Sequence, residues 1–338
     1  MSYRIPQCEP NICDAEKRLV NAALDTNNPA LGVCVERFEE LVAQATGREW
    51  CVATSSGTGA LRTALTALGV KGATVSVPSF TFAATVNAII QAGGYPYFMD
   101  IDENWVAADI ENGEGETKRI TTPFVSVEVN GNPTRGTIID ACQSLGRGKI
   151  GGQLACLSFN GNKIITTGGG GAIIGDDPNL EAECRHYIRQ CTIGKYLHDG
   201  IGSNERMPNL NAALGVAQMQ RLGEFVEKKA EIALRYEMKI SHPPLPGKGT
   251  WLSGYIHDDA LTHISTLQEM GIEAQPFFFP LHLQGPYKDF GRDPLPNTEA
   301  IWDRIVTLPS STTLTETQQQ QVIDAVLSLP AAEQTAVH

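Results

Sequence analysis

Short apolar runs alternate with amphipathic segments between residues 50 and 175. The runs of strand length are residues 51–53, 73–77, 95–99, 124–127, 137–140, 154–159 and 172–174. Segments with helical spacing of their apolar residues are 15–24, 35–42, 61–68 and 82–91. Short strands that alternate with helices predict a largely parallel sheet with helices on both faces. The fold class is therefore α/β.

The pattern changes at Pro208, where long helices are predicted for residues 210–222 and 225–236. A proline-rich loop follows at residues 242–247, and a last helix is predicted for residues 316–329. This change predicts two domains. The large one comprises residues 1–222 with the N-terminal segment, and a smaller α+β C-terminal domain comprises residues 223–338.

Composition narrows the class of protein. Of 338 residues 42% are hydrophobic, yet no apolar run is long enough to span a membrane, and the N-terminus lacks the apolar core of a secretory signal. Eight cysteines without a Cys-x-x-Cys pair favour free thiols in a reducing compartment, which predicts a cytoplasmic protein. The net charge of −12 argues against a general nucleic-acid surface, so an anionic substrate needs a local site.

Residues 54–59, Thr-Ser-Ser-Gly-Thr-Gly, form a turn between a predicted strand and a predicted helix. Main-chain N–H groups at a helix N-terminus lack partners within the helix and attract anions, so this turn is a candidate phosphate site. A plain tight connection fits the same residues.

Asp140 ends a predicted strand, and Gln143 follows about one helical turn later. Ligands of open α/β sheets gather at the carboxyl ends of strands, where a carboxylate can hold a protonated ring nitrogen. An aspartate that only caps the next helix is the alternative interpretation.

Lys163 follows another strand, with Ser158 five positions before it and four glycines, residues 168–171, shortly after it. A lysine that forms a Schiff base needs a lowered pKa, which burial provides, and glycines let the backbone approach a bulky ligand. Phe82 is an aromatic side chain suited to stack on a flat ring. Taken singly, Lys163 fits a surface position and Phe82 fits the core equally well.

Several motifs follow one another in a recognisable order. They are Ser-Gly-Thr-x-Ala-Leu (56–61), Pro-Ser-Phe-Thr-Phe (78–82), Asp-Ala-x-Gln (140–143), Ser-Phe-x-x-x-Lys (158–163), Asn-x-Arg-Met (204–207) and Pro-Leu-His (280–282). Together they resemble the DegT/DnrJ/EryC1/StrS family of pyridoxal phosphate (PLP)-dependent sugar-nucleotide aminotransferases, over nearly the whole chain. Residues 160–167 are most similar to members that act on bacillosamine- and legionaminic-type sugars. The resemblance implies a type I PLP-dependent transferase fold with a mostly parallel, seven-stranded sheet.

The resemblance also implies a role for individual residues. Lys163 matches the lysine that forms the Schiff base with PLP, and Asp140 the carboxylate that faces the pyridine nitrogen. The other implied cofactor contacts are Gly57, Thr58, Gly59 and Ser158 at the phosphate, Phe82 on the ring, Gln143 near the ring hydroxyl, and Asn204 from a neighbouring subunit. A homodimer with shared active sites follows from the role of Asn204. His282 and Arg206 are candidate substrate contacts, and no metal is expected.

The implied reaction moves an amino group, by resemblance from glutamate, to a nucleotide-linked keto sugar. Arg206, Arg185 and Arg147 are the candidates to meet the nucleotide phosphates. A PLP-dependent sugar dehydratase is disfavoured, since histidine replaces the lysine in that branch. The Pro-Leu-His and Asn-x-Arg-Met motifs argue against a lyase or desulfurase. A PLP-binding regulatory or scaffold protein is the remaining alternative.

Three departures from the family pattern bear on these expectations. Few residues separate Asn130 from Ile138, where family members have a helix, so one sheet-covering helix is expected to be missing. Glu205 stands where an aromatic residue is usual. The glycine run 168–171 lacks the usual carboxylate. None of these removes a group that the chemistry requires.

Overall fold

The computed structural model describes residues 3–107, 123–247 and 251–330. Its helices are α1 (Asp14–Asp25), α2 (Val33–Thr46), α3 (Gly57–Ala67), α4 (Ala83–Gln91), α5 (Pro178–Tyr187), α6 (Asn209–Gln220), α7 (Leu222–Lys239), α8 (Ala260–Glu269), α9 (Pro296–Ile301) and α10 (Glu316–Leu327). Its strands are β1 (Trp50–Thr54), β2 (Thr74–Pro78), β3 (Tyr95–Met99), β4 (Val125–Val127), β5 (Ile138–Asp140), β6 (Leu154–Ser158), β7 (Gly171–Gly175), β8 (Thr192–Gly194), β9 (Leu197–His198), β10 (Ser253–Ile256) and β11 (Ile305–Leu308). Among these ranges no helix is long and apolar enough to cross a membrane.

A mostly parallel sheet forms the centre of the first part of the chain. Five strands pair in the order β1-β7-β6-β5-β4, and a bridge between Ser76 and Phe124 adds the parallel pair β2–β3 beside β4. In the five-stranded part β7 alone runs antiparallel to its neighbours, β1 and β6. The predicted α/β class is confirmed. Because β5 and β6 are parallel, their carboxyl ends, Asp140 and Ser158, lie at the same edge.

Helices cover both faces of this sheet, as the amphipathic segments predict. On one face α3 and α4 bury Leu61, Leu65 and Ile89 against the strands. On the other, α2 and α6 bury residues such as Phe38 and Val216. Each large apolar side chain buried in this way contributes about 1.5–3 kcal/mol. The sheet is therefore held rigidly between two apolar layers, which fixes the edge where the strands end.

A second core surrounds the antiparallel pair β10–β11 and the helices α8 and α10. Helix α7 contributes to both cores, since Phe225 packs in the first and Ile232 in the second. Ile5, near the N-terminus, also packs in the second core. The domain boundary between residues 222 and 223 stays a prediction.

The connection between β4 and β5 is short and contains no α-helix. Parallel neighbours usually need a crossover of a dozen or more residues, whereas residues 128–137 carry only the 3-10 turn Val129–Gly131. Asn130 and Gly131 adopt positive φ angles of 52° and 79°, which reverse the chain at once. The helix expected to be missing is indeed missing.

Three histidines contact one another in the second core, where His257 stacks on His263 and His242 meets His257 edge to face. The ring centroids of His257 and His263 are 4.0 Å apart, those of His242 and His257 are 4.7 Å apart, and His242 also stacks on Tyr255 at 4.9 Å. Burial, with a smaller contribution from His257, lowers the pKa of both His242 and His263. The folded cluster therefore binds protons less readily than the unfolded chain does.

We expect stability to fall as the solution is acidified from about pH 7.5 to about pH 5.5. The stabilisation is complete above the unfolded pKa of about 6.5 and is lost as the pH falls below it, because only the unfolded state then gains the protons. His242→Phe retains an aromatic ring but cannot titrate, so its free energy of unfolding should depend less steeply on pH in urea titrations. His198→Asn, outside the cluster, is the control. Equal slopes for wild type and His242→Phe would contradict the assignment.

Candidate active site

A cavity of about 540 Å³ opens where the central strands end. Its walls come from the turn before α3, from the segments that follow β5 and β6, and from residues 251–252 and 275–278 beside the second core. The predicted site residues that line it are Gly57, Thr58, Phe82, Asp140, Gln143, Ser158 and Lys163. Those that do not line it are Gly59, Asn204, Arg206 and His282. Residues distant in sequence thus meet in one cavity.

Lys163 extends into this cavity from the loop after β6. Burial lowers the pKa of its amine, while the negative charge of Asp140 acts in the opposite direction. Its Nζ lies 4.0 Å from the ring centroid of Trp251. An amine with a lowered pKa is more often neutral near pH 7, and therefore more nucleophilic, than a surface lysine.

Asp140 lies at the end of β5 and is 6% exposed. Its Oδ2 accepts a hydrogen bond from the Thr85 hydroxyl at 2.7 Å, and its Oδ1 accepts the Cys142 N–H at 3.2 Å. Thr85 is itself 2.9 Å from the Thr81 hydroxyl. The carboxylate is thereby fixed in orientation toward the cavity, and a buried carboxylate favours a cationic partner. The two threonines were not predicted from sequence.

Gln143 lines the cavity and is fixed by the short crossover. Its Oε1 accepts the main-chain N–H of Asn130 at 2.6 Å. The Asn130 side chain in turn contacts the segment at the second core, where its Oδ1 accepts the Leu252 N–H at 3.0 Å and its Nδ2 donates to the Pro246 carbonyl at 3.1 Å. Asn130 therefore connects the crossover, Gln143 and residues 246–252.

The turn before α3 leaves main-chain donors directed at the cavity. Ser56 caps the helix by accepting the Gly59 N–H at 3.0 Å, and its carbonyl accepts the Ala60 N–H at 2.9 Å. The N–H groups of Gly57 and Thr58 have no acceptor in the described part of the chain, and both residues line the cavity. Two free N–H groups at a helix N-terminus form an anion site.

At two positions of this turn and of the strand beneath it, the neighbouring atoms leave no space for a Cβ, so only glycine fits. A Cβ on Gly57 would lie 2.9 Å from the Ser158 Cβ and 3.1 Å from the Cys142 Sγ. A Cβ on Gly171 would lie 2.4 Å from the Ser56 carbonyl carbon. The glycine run thus passes directly under the anion turn, as expected for a backbone that approaches a ligand closely.

Phe82 is the N-cap residue directly before α4 and is 62% exposed although it lines the cavity. Its ring centroid is 6.3 Å from that of Phe278, and Phe277 continues the aromatic wall. A large exposed ring at the cavity mouth is available to stack on a flat ligand.

Glu205, which replaces the usual aromatic, lies beside the anion turn without entering the cavity. Its carboxylate forms an ion pair with Arg62 and accepts a hydrogen bond from the Ser55 hydroxyl at 2.5 Å. A Cβ on Gly59 would lie 2.3 Å from Glu205 Oε2, so Gly59 serves to leave room for this pair.

The three candidate arginines differ in their partners. Arg147 forms an ion pair with the fully buried Glu128, and Arg185 pairs with Glu39 at 2.9 Å and with Glu181 at 2.8 Å. Arg206 is exposed and pairs with no carboxylate in the described ranges. The first two are engaged in structural ion pairs. Among the three, Arg206 alone presents a guanidinium without a carboxylate partner in the described ranges, and it does so outside the cavity of its own subunit.

The other two predicted positions lie outside the cavity. Asn204 is exposed and its backbone bridges to Arg189. His282 is 2% exposed, and both ring nitrogens are occupied, Nδ1 by the Ser79 hydroxyl at 2.7 Å and Nε2 by Glu299 at 3.0 Å. This geometry gives His282 a structural position, so a substrate contact is not supported for it.

The donor set fits PLP. The Gly57 and Thr58 N–H groups and the Ser158 hydroxyl can take the phosphate, the buried Asp140 carboxylate a protonated ring nitrogen, and Lys163 the carbonyl carbon. The cavity volume is within the 300–1,000 Å³ usual for small-molecule sites. Phe82 supplies an aromatic face. No residue of the cavity wall contradicts this assignment.

Comparison with known proteins agrees with the geometry. Residues 10–327 match the DegT/DnrJ/EryC1/StrS aminotransferase family. The GDP-perosamine synthase of Escherichia coli O157:H7 is 30% identical, over 96% of this chain and 98% of that protein.

Solved structures show the same fold. The aminotransferase PseC of Helicobacter pylori, involved in the biosynthesis of pseudoaminic acid, superposes with a TM-score of 0.87 at 22% identity, covering 97% of this chain and 98% of that one. NtdA of Bacillus subtilis, solved with bound cofactor PMP, gives 0.82 at 24% identity, covering 93% of this chain and 81% of that one. PLP is the cofactor of this fold family. The chain belongs to the DegT/DnrJ/EryC1/StrS aminotransferase family.

Proposed function

We propose that this protein transfers the amino group of glutamate to a keto sugar linked to a nucleotide. The observation that carries the proposal is that Lys163, with a lowered pKa, shares one cavity with the buried Asp140 and the anion turn at Gly57 and Thr58. These are the three groups that a PLP-dependent transamination needs from the protein.

When bound, PLP supplies a carbon that takes up the amino group and a ring that accepts electron density. The chain's residues position and protonate the reactants. Asp140, held by Thr85 at 2.7 Å, keeps the ring nitrogen protonated. With the cofactor bound, the Lys163 amine would act first as the general base that takes the proton from the α-carbon of the amino donor and then as the general acid that returns it to the carbon that carries the amino group. The surrounding apolar wall of Phe277 and Phe278 excludes water from that proton transfer.

The nucleotide-sugar part of the proposal rests on the relatives and on Arg206. The E. coli relative is by name a GDP-perosamine synthase, and Arg206 is an exposed cation free of a carboxylate partner in the described chain. We further propose a cytoplasmic homodimer in which Asn204 reaches the cofactor phosphate of the other subunit. Asn204 is exposed and does not line the cavity of the subunit to which it belongs.

No observation favours a regulatory or scaffold role. The short crossover is the departure from the family pattern that bears on that alternative. Hydrogen bonds of Asn130 hold it in place, and Gln143 still lines the cavity.

We expect protein loaded with PLP and then freed of unbound cofactor by gel filtration to be yellow, and Lys163→Ala treated in the same way to lose the absorbance of the lysine-bound cofactor, because Lys163 is the lysine of the described cavity wall. Glutamate should bleach the wild type and release 2-oxoglutarate. Activity of Lys163→Ala should fall at least about 10³-fold. Lys228→Ala, on the surface of α7, is the control for loss of a lysine. A wild type that is colourless after PLP loading and gel filtration would refute the cofactor assignment.

Arg206→Gln should raise the KM for a nucleotide-linked keto sugar by about tenfold with little change in stability, since it removes an exposed phosphate contact. Arg147→Met is the contrasting variant, because it leaves Glu128 buried without a partner and should lower the free energy of unfolding by about 3–5 kcal/mol. Steady-state kinetics and urea titrations separate the two. An unchanged KM in Arg206→Gln, with wild-type stability, would remove Arg206 from the substrate site.

Gly57→Ala should weaken PLP binding by about tenfold or more, because the added methyl group displaces Ser158 or Cys142 at the anion turn. Equilibrium dialysis measures the effect. Gly161→Ala, where an added Cβ meets no atom within 4 Å, is the matched control. Equal affinities in the two variants would place the phosphate elsewhere.

A further inference from the structure

Lys229 is a buried lysine close to the active-site lysine. It is 5% exposed, lies in α7, and forms no ion pair with a carboxylate in the described chain. Its Nζ donates to the carbonyl oxygen of Trp251 at 2.5 Å. Burial lowers the pKa of Lys229. Burying an amine without a counter-ion lowers the free energy of unfolding, and a hydrophobic residue would avoid that loss. We therefore expect the Lys229 amine to have a role that a hydrophobic side chain cannot perform.

Both polar groups of the peptide that joins Trp251 to Leu252 are held by side chains. Lys229 binds its carbonyl oxygen, and Asn130 Oδ1 accepts its N–H at 3.0 Å. Asn130 is fixed in turn by Gln143, 2.6 Å away. A single peptide unit is therefore anchored between α7 and the short crossover, which sets the direction of the Trp251 side chain.

The indole of Trp251 contacts the Lys163 loop twice. Its Nε1 donates to the carbonyl oxygen of Asn162 at 2.8 Å, and its face lies 4.0 Å from the Lys163 Nζ. Trp251 is 9% exposed, so the contact is shielded from water. A desolvated aromatic face attracts an ammonium group more strongly than an exposed one does.

Charged and titratable groups approach the Lys163 amine from several elements. Cys142 and Asp140 face it from the segment at the end of β5, and Cys8 faces it from the N-terminal segment. Lys229 of α7 and Glu9 line the same small cavity beside Lys163. Burial disfavours the charged amine, while the Asp140 carboxylate favours it. Burial raises the pKa of the Cys142 and Cys8 thiols, so both stay neutral near pH 7. The ring of Trp251 adds to the groups that favour the charged form.

We propose that Lys229 and Asn130 are positioning residues that hold Trp251 against Lys163, so that the indole keeps the released amine in place for proton transfer. The proposal rests on the proposed role of Lys163 as the amine that moves the proton. Lys229 and Asn130 touch neither substrate nor cofactor in this scheme. They act through Trp251.

The test measures the pKa of Lys163 in cofactor-free protein, by competitive acetylation across pH and mass spectrometry. Trp251→Leu should lower this pKa by about one unit, because burial then acts without the aromatic face. Lys229→Met should shift it in the same direction by a smaller amount, and Trp251→Phe should largely retain it. Lys229→Met keeps the test decisive if Trp251→Leu does not fold, because it too is expected to lower the pKa of Lys163.

Two controls are matched to these variants. Lys228→Met removes a neighbouring lysine of α7 that pairs with Glu231, and Trp302→Leu removes an indole that packs on Phe279 outside the cavity. Neither should move the pKa of Lys163. In the PLP-loaded enzyme, the apparent pKa of Lys163 in the kcat–pH profile should shift in Trp251→Leu and in Lys229→Met. It should not shift in the two control variants.

Three outcomes would overturn the proposal. A raised pKa of Lys163 in Lys229→Met would mean that Lys229 acts as a neighbouring positive charge. An unchanged pKa in Trp251→Leu would mean that the ring does not affect the amine. Lower thermal stability of Lys229→Met without any pKa shift would assign it a purely structural role. The acetylation readout needs no PLP, so it stays informative even if the transaminase assignment fails.

Discussion

The active site depends on keeping the Lys163 amine shielded from water and, within the described ranges, without an ion pair. Burial disfavours its charged form and lowers its pKa, and the structure compensates with the Asp140 carboxylate and with the face of Trp251. The rigid sheet supplies the carboxylate from the end of β5. Trp251 packs with Leu252 and Phe277 in an apolar cluster beside the second core, so the sheet and this cluster both have to be correctly packed before the amine has its working environment.

Much of the fold was predictable from local patterns. The strand at residues 95–99 agrees with the apolar pattern, because burial on both faces gives continuous apolar runs in a parallel sheet. The helix that ends at Gln91 also agrees with the apolar pattern. Asp140 and Ser158 were predictable as site residues because parallel strands end at one edge. The β8–β9 hairpin and α5 were not predicted, since their exposed or short patterns give little periodic signal.

The residues around Lys163 were harder to predict from sequence. Trp251 is 88 positions from Lys163 and stands in a segment without strand or helix periodicity, so only its packing against Phe277 and Leu252 brings it to the amine. Thr85 is a plain helix residue by pattern, and its bond to Asp140 depends on how α4 packs over β5. His282 and Arg147 show the reverse case, in which residues suited to bind ligands are used by buried hydrogen bonds and ion pairs.

The short crossover between β4 and β5 also bears on how the sheet assembles. Val125 pairs with Ile138, 13 positions on, whereas Ile138 pairs with Leu154 after 16 positions and Thr74 with Tyr95 after 21. The chain entropy lost in closing a loop grows with the logarithm of its length, by about 0.6 kcal/mol for each doubling. Of the parallel pairings in the described sheet, the one that ends in Asp140 is therefore the least costly to close. The carboxylate on which the chemistry depends belongs to the most local parallel pairing of the described sheet.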